Sequence, residues 1–308
     1  MPIASIIIIN YNTADLTLQA IDSIEKQVAP LENFEIIIID NASENSDYVK
    51  LKLGVDNAKN RNLKLVRSKF NLGFGGGNML GVQYAIGEFY VFMNSDVILK
   101  EDSISIMIDF LNKNKNTSIV GCQAVNQDGE KFKGFDYGLS LANELFSNSV
   151  LQFVNKKKYP SRIVSTKNPL LVDSVAGSLF TCVANDFDSI GGFDTNMFLY
   201  YEEKDLAFRI KKYLKKDIYL LPFTEYIHLK GKSTKASQKI KNELKISQFY
   251  SVQKNLGVLH YPIFYLINLI IFLLKSPFNK KNRAYFLLLL SGISTSKSIK
   301  HHQKTIIK

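Results

Sequence analysis

Residues 4–10 read ASIIIIN and residues 34–41 read FEIIIIDN. Each is an unbroken, mostly β-branched run of strand length that closes on polar side chains. A strand with one wet face alternates apolar and polar residues. A run without alternation is a strand covered on both faces, as in parallel sheets. Between the two runs, Leu16, Ala20, Ile24 and Gln27 fall near helical spacing, which predicts a helix over 13–27. The pattern continues with a helix over 46–58, the strand LKLVRS, a helix over 75–86, the strand EFYVFMN and a helix over 102–112. Such strand–helix alternation predicts the α/β class, a Rossmann-like and mostly parallel central sheet flanked by helices.

Ligands of such sheets bind beyond the carboxyl ends of the strands. The polar motifs fall there: Asn10-Tyr11-Asn12, Asp40-Asn41, Asn71-Leu72-Gly73 and Asn94-Ser95-Asp96. An aspartate at one strand end is usually a turn or cap residue. Asp40 and Asp96, both after parallel strands, suit a ribose or a hard cation. NLGFGGGN, residues 71–78, lets backbone amides approach a ligand ahead of a helix N-terminus. It is not GxGxxG and follows the third strand, so a dinucleotide site does not follow from it.

Two later stretches carry more charge. In YIHLKGKS, His228 precedes Lys230, Lys232 and Ser233. Imidazole, ammonium and hydroxyl groups together suit a diphosphate, although a lone histidine is more often structural. In FLYYEEKDLAFR, residues 198–209, three acids occupy four positions behind two tyrosines. Acids in a first helical turn complement the helix dipole, and Asp205 with Arg209 is an i,i+4 pair. That accounts for Glu202 and Asp205. It leaves Glu203, beside the aromatic wall of Tyr200 and Tyr201, as a carboxylate of raised basicity.

The chain has 308 residues, 46% hydrophobic and 22% charged, ordinary for a folded protein. Its formal charge of +11 is unevenly placed. Residues 229–308 hold 15 Lys or Arg and a single acid, Glu243, whereas residues 1–228 hold 24 basic and 27 acidic side chains. A near-neutral body argues against nucleic-acid binding; a basic tail favours an anionic surface. Two distant cysteines, Cys122 and Cys182, lack metal spacing and suit a reducing compartment. The N-terminus lacks the basic region of a secretory signal.

Taken in order, IIIINYN, IIIIDNAS, NLGFGGGN, MNSDV, GGFD with FLYYEEKDLAFR, and HLKGKS resemble the inverting glycosyltransferases of family 2, with their A-type fold. The bacterial rhamnosyltransferase-like branch is the most similar, and the resemblance runs from about Ile6 to Leu256. It implies a catalytic domain over 1–256 and a nucleotide pocket of Tyr11, Asn12, Asp40, Asn41, Asn71, Gly73, Asn78 and Asn94. It implies Mn2+ or Mg2+ at Asp96 and His228, with Lys232, Ser233 and Arg209 supporting the diphosphate. The catalytic base of the family falls on Glu203, where Asp is more usual, with Glu202 as the alternative and Asp205 beside them. The implied reaction moves a sugar, dTDP-rhamnose being the favoured donor and UDP-sugars the alternatives, to a saccharide acceptor in cell-surface polysaccharide synthesis. A non-catalytic sugar-nucleotide-binding subunit is the rival reading.

Residues 257–308 form a basic, apolar, helical appendage. PIFYLINLIIFLL, residues 262–274, spans about 20 Å as a helix, short of the roughly 30 Å hydrocarbon core. With AYFLLLLSGI and the basic link between them, it reads as an anchor lying on an anionic cytoplasmic leaflet, or else as a packing surface. Such an anchor fits an acceptor carried on a polyprenyl diphosphate.

Overall fold

The computed structural model describes residues 2–58, 62–229 and 237–303. Strands β1 (Ala4–Asn10), β2 (Phe34–Asp40), β3 (Leu63–Arg67) and β4 (Phe89–Asn94) are parallel neighbours in the order β3-β2-β1-β4. Helices α1 (Ala14–Gln27), α2 (Asn45–Asp56) and α3 (Gly73–Val82) connect them. Ile6, Ile7 and Ile8 stand beside Ile36, Ile37 and Ile38 in register. Ile6, Ile8, Ile36 and Ile38 enter one apolar core, and Ile7, Ile37 and Ile39 enter the core on the opposite face. The non-alternating runs are therefore strands buried on both sides, as their composition requires.

The sheet does not stay parallel. After β5 (Val97–Leu99), α4 (Ser103–Lys113) and β6 (Thr117–Val125), the chain makes an excursion through β7 (Phe135–Asp136), α5 (Leu141–Leu145), α6 (Asn148–Val154), β8 (Leu170–Leu171) and β9 (Ser174–Val175). It returns as β10 (Leu179–Val183), which inserts antiparallel between β4 and β6. Among the described strands the main sheet runs β3-β2-β1-β4-β10-β6-β11-β5, with β8 on β11 (Asp217–His228), and β7 pairs with β9 in a separate two-stranded sheet. Between β10 and β11 lie α7 (Ala184–Ser189), α8 (Glu202–Arg209) and a π turn at Ile210–Leu214.

Three further helices follow: α9 (Gln238–Leu256), α10 (His260–Lys275) and α11 (Lys280–Leu290). The Ser237 side chain caps α9 by accepting from the Ile240 amide, and Gly257, at φ +85°, ends it. Phe249 and Val252 of α9 pack with Phe264, Phe272, Tyr285 and Leu289 as a third core. No helix among the described residues is long and apolar enough to cross a membrane.

Candidate active site

The carboxyl ends of β1, β2 and β3 form a polar network. Asn10 Nδ2 donates to Asp40 Oδ1 at 2.9 Å, to Ser43 Oγ at 3.0 Å and to Asp47 Oδ2 at 3.0 Å. Asp40 is fully buried, and Arg67 Nε pairs with its second oxygen at 3.1 Å. Arg67 also donates to the Ser43 carbonyl and stacks over the Tyr48 ring at 3.9 Å. The resemblance places Asp40 beside base and ribose. Its carboxylate is covered, so it orients Asn10 and Arg67, and the guanidinium is the group nearer the opening. Tyr11 stands exposed at the mouth, and Asn12, at φ +56°, accepts from the Glu44 amide.

Asn41 ties this network to the glycine loop. Its amide donates to Asn71 Oδ1 and to the Gly73 carbonyl, both at 3.0 Å, and its oxygen accepts from the Leu72 amide at 2.8 Å. Gly73 has φ +75°, and a Cβ there would lie 1.9 Å from the Phe198 carbonyl oxygen. Only glycine allows that approach. The Phe74 amide donates to the same carbonyl at 2.9 Å, joining the loop to the segment that leads into α8. Asn78 is buried within α3 and donates to the Phe74 carbonyl. That bond steadies the first turns of the helix.

At the end of β4, the Asn94 amide donates to the Ser178 carbonyl at 2.9 Å. Asp96 is buried, with His228 Nε2 at 3.3 Å from Oδ1. The Leu229 amide donates to the Asp96 carbonyl and seals the β5–β11 pairing beneath. A buried carboxylate oxygen and an imidazole nitrogen suit Mn2+ or Mg2+. Among the described residues no group of three or more His, Cys, Asp or Glu could hold a metal. Lys232 and Ser233 lie outside the described residues.

The acids of FLYYEEKDLAFR separate in three directions. Tyr200 and Tyr201 have φ +73° and +75°, a strained double turn that aims α8. Tyr201 donates to Glu144, which Lys204 and Gln248 also engage. Glu202 is buried against Gly75, and burial pushes its carboxyl far above the ordinary range, with the Glu203 charge adding to the effect. Glu203 is only partly buried, yet loss of water raises its pKa too, with Asp136 reinforcing and Lys133 and Lys204 opposing. A Cβ on Gly177 would stand 3.3 Å from the Glu203 carboxyl carbon.

Asp205 turns the other way. It is fully buried and bound by Arg209 Nε at 2.8 Å, Lys254 Nζ at 2.8 Å and Asn255 Nδ2 at 2.7 Å. Arg209 also donates to the carbonyls of Ile190 and Gly192. These two residues clamp α8 to α9 and to the GGF turn. Every guanidinium nitrogen of Arg209 is engaged inside the protein, so the pair supports and orients the helix.

The remaining groups form a ring. Asn41 holds the glycine loop, and the loop touches Phe198 and Glu202. Glu203 faces Gly177, and Ser178 beside it receives the Asn94 amide, two residues before Asp96. The Arg67 bond to Asp40 and the Gly177 contact were not anticipated; a basic residue closing the third strand was the only sign of the first.

A family model, Glycosyl transferase family 2, matches residues 5–183. The rhamnosyltransferase WbbL of Escherichia coli K12 is 29% identical over 147 residues, 45% of this chain and 54% of the relative. An uncharacterised glycosyltransferase of Rickettsia conorii is 26% identical over 248 residues, 72% of this chain and 38% of that protein. One from Haemophilus influenzae is 29% identical over 120 residues, 39% and 36% of the two chains. The chain thus spans between 36% and 54% of these relatives' own lengths. Among solved structures, a mannosyltransferase from Pyrobaculum calidifontis in complex with GDP-Man and Mn2+ superposes with TM-score 0.59 at 14% identity, over 96% of this chain and 86% of that one. S. aureus TarS in complex with UDP gives 0.53 at 17% identity, over 87% and 69%. At such identities these likenesses establish the A-type fold. The family match runs from β1 to the end of β10, more than half of the sequence, and the chain belongs to glycosyl transferase family 2.

Proposed function

We propose that this protein is a metal-assisted, inverting glycosyltransferase that moves a sugar from a nucleoside-diphosphate sugar to a saccharide acceptor. One observation carries the reading. Gly177 and Ser178 bridge a carboxylate of raised basicity, Glu203, to the strand end that presents Asn94 and Asp96. The nucleotide lies along Tyr11, Asn12, Asn41 and the loop at Asn71 and Gly73, with Arg67 turned toward it by Asp40. Asp96 and His228 would hold the divalent cation, whose charge, when bound, offsets that of the diphosphate. Glu203 takes the proton from the acceptor hydroxyl, whose oxygen forms the bond to the anomeric carbon as the bond to the diphosphate breaks. Configuration inverts in this one displacement.

Similarity to WbbL favours dTDP-rhamnose as donor; UDP-galactofuranose, UDP-galactose, UDP-glucose and UDP-N-acetylhexosamines are the alternatives. The segment 135–170, which brings Asp136 toward Glu203, is where the acceptor would lie. We assign catalysis to residues 1–256 and peripheral attachment at the inner face of the membrane to 257–308. The acceptor is then lipid-linked and belongs to polysaccharide synthesis.

The test is release of nucleoside diphosphate from a panel of nucleotide sugars with Mn2+ or Mg2+ and saccharide acceptors. One donor should turn over, and both Glu203→Gln and Asp96→Ala should abolish it. Absence of any metal-dependent nucleotide binding would overturn the reading. A product of retained configuration would overturn the single displacement.

A further inference from the structure

A cavity of about 450 Å³ opens among the C-terminal helices, lined by Tyr200, Lys241, Lys245, Lys281, Asn282 and Tyr285. Lys241 and Lys245 lie one turn apart on α9, and Lys281 comes from the start of α11. Like charges at that spacing repel, and a third ammonium adds to the cost. The carboxylates nearby are engaged elsewhere. Glu144 is held by Tyr201, Lys204 and Gln248, and Glu243 accepts from Ser298 and the Ile299 amide. Lys245 Nζ donates to Gln248 Oε1 at 2.7 Å and sits 5.2 Å from the centre of the Phe272 ring. Lys281 lies over the Tyr285 ring at 5.6 Å. Loss of water brings the Lys245 pKa down to about 8, with Glu144 opposing and Lys281 reinforcing the shift. Three lysines lining one cavity, with no carboxylate among its lining residues, describe an anion site.

Two features say what kind of anion. Tyr200 forms part of the cavity wall, and the charges of Glu202 and Glu203 act on its phenol, so the cavity borders the acidic pair. On α10, Ile263, Leu266, Ile270 and Leu273 form an exposed apolar stripe, and Phe272, on the other side of the same helix, stands in the cavity wall. We infer that this cavity binds the phosphate end of a lipid-borne ligand, either the diphosphate of a lipid-linked acceptor or an anionic headgroup. The inference rests on the glycosyltransferase reading for its acceptor arm only.

Calorimetry with inorganic pyrophosphate in metal-free buffer tests the site on the full-length protein. Lys245→Met and Lys281→Met should each weaken binding about tenfold or more, and Asp96→Asn should leave it as in the wild type. Lys281 is exposed, so its substitution spares the fold. Two further arms separate the sources. A tenfold rise in acceptor KM with unchanged vesicle binding assigns the acceptor diphosphate. Loss of flotation with phosphatidylglycerol-containing vesicles at unchanged acceptor KM assigns a headgroup. Pyrophosphate binding unchanged in both lysine variants overturns the inference. A protein that binds pyrophosphate through these lysines but turns over no nucleotide sugar would sink the glycosyltransferase reading and leave the anion site standing. Turnover without lysine-dependent binding would do the reverse.

Discussion

Glu202 and Glu203 are adjacent, yet their surroundings give them different work. Both sit in the first turn of α8, where the helix dipole favours the ionised form by about 0.3–1 kcal/mol. Burial opposes this more strongly and raises both. Glu202 Oε1 is buried with no hydrogen-bond partner among the described residues. Glu203 is the more open of the two and faces Gly177. A base must be ionised to accept a proton. Activity should therefore fall as pH drops through the raised Glu203 pKa, with the acid limb of kcat/KM above the ordinary glutamate value of about 4.3. Glu203→Gln should lower kcat by about 10² or more; a larger loss in Glu202→Gln than in Glu203→Gln would exchange the two roles. Stability gives the complementary result for Glu202. Its folded pKa exceeds its unfolded one, so the unfolded chain binds fewer protons between the two values, and stability falls as pH rises through that window. Glu202→Gln removes this penalty. Its thermal midpoint should match the wild type near pH 4 and exceed it increasingly toward neutral pH. A constant difference across pH would refute the raised Glu202 pKa.

The same burial logic made half of the sheet legible. Strings such as SIIII admit one placement, and alternate isoleucines enter opposite cores as that placement demands. The antiparallel insertion of β10 was not legible, because its partners β4 and β6 are remote in sequence and LVDSVAGSLFTCVAN carries no mark of direction. Strand β6 escaped for a related reason. Gly121 and Gln123 interrupt its apolar pattern, yet all nine residues are buried; a Cβ on Gly121 would meet Val175 at 2.8 Å. In the site, the ordered motifs located the loops but not the sharing of carboxylates. Three acids in one helical turn look alike until Lys254 and Asn255 arrive from α9 to take Asp205 inward. The glycine loop is the element on which this can be tested. Gly73→Ala combines positive φ with a clash on the Phe198 carbonyl, whereas Gly129→Ala has positive φ with nothing within 4 Å. The second should cost about 1–2 kcal/mol. Gly73→Ala should cost more in urea unfolding and also weaken nucleotide binding, because it parts the loop from α8. Equal costs, with nucleotide affinity unchanged, would mean that the loop and α8 are not coupled.

Across the molecule, charge and apolar surface divide at the same place. The near-neutral body carries the ring of site residues, and the basic C-terminal quarter carries α9, α10 and α11. Deleting residues 258–308 would strip Phe264, Phe272, Tyr285 and Leu289 from Phe249 and Val252, leaving α9 an uncovered apolar face. It would also release Gln303, which binds both the amide and the carbonyl of Asn71 in the glycine loop. A truncation therefore disturbs the site and the apolar surface of α10 together and separates nothing. The outer stripe of α10 offers a cleaner test. Leu266, Ile270 and Leu273 are about half exposed, and their burial in a lipid interface would contribute roughly 25 cal/mol for each Å² removed from water. Glutamine keeps helix propensity close to that of leucine. The triple substitution Leu266→Gln, Ile270→Gln, Leu273→Gln should then leave the thermal midpoint within a few degrees and preserve turnover of a soluble acceptor. Co-flotation with vesicles of phosphatidylcholine and phosphatidylglycerol should fall at least tenfold. High salt should weaken the wild type's residual electrostatic attachment as well, since exposed lysines act across a Debye length of about 10 Å at 0.1 M. Flotation unchanged in the triple variant would remove the stripe as the anchor. The apolar face of α10 would then call for a protein partner in place of a membrane.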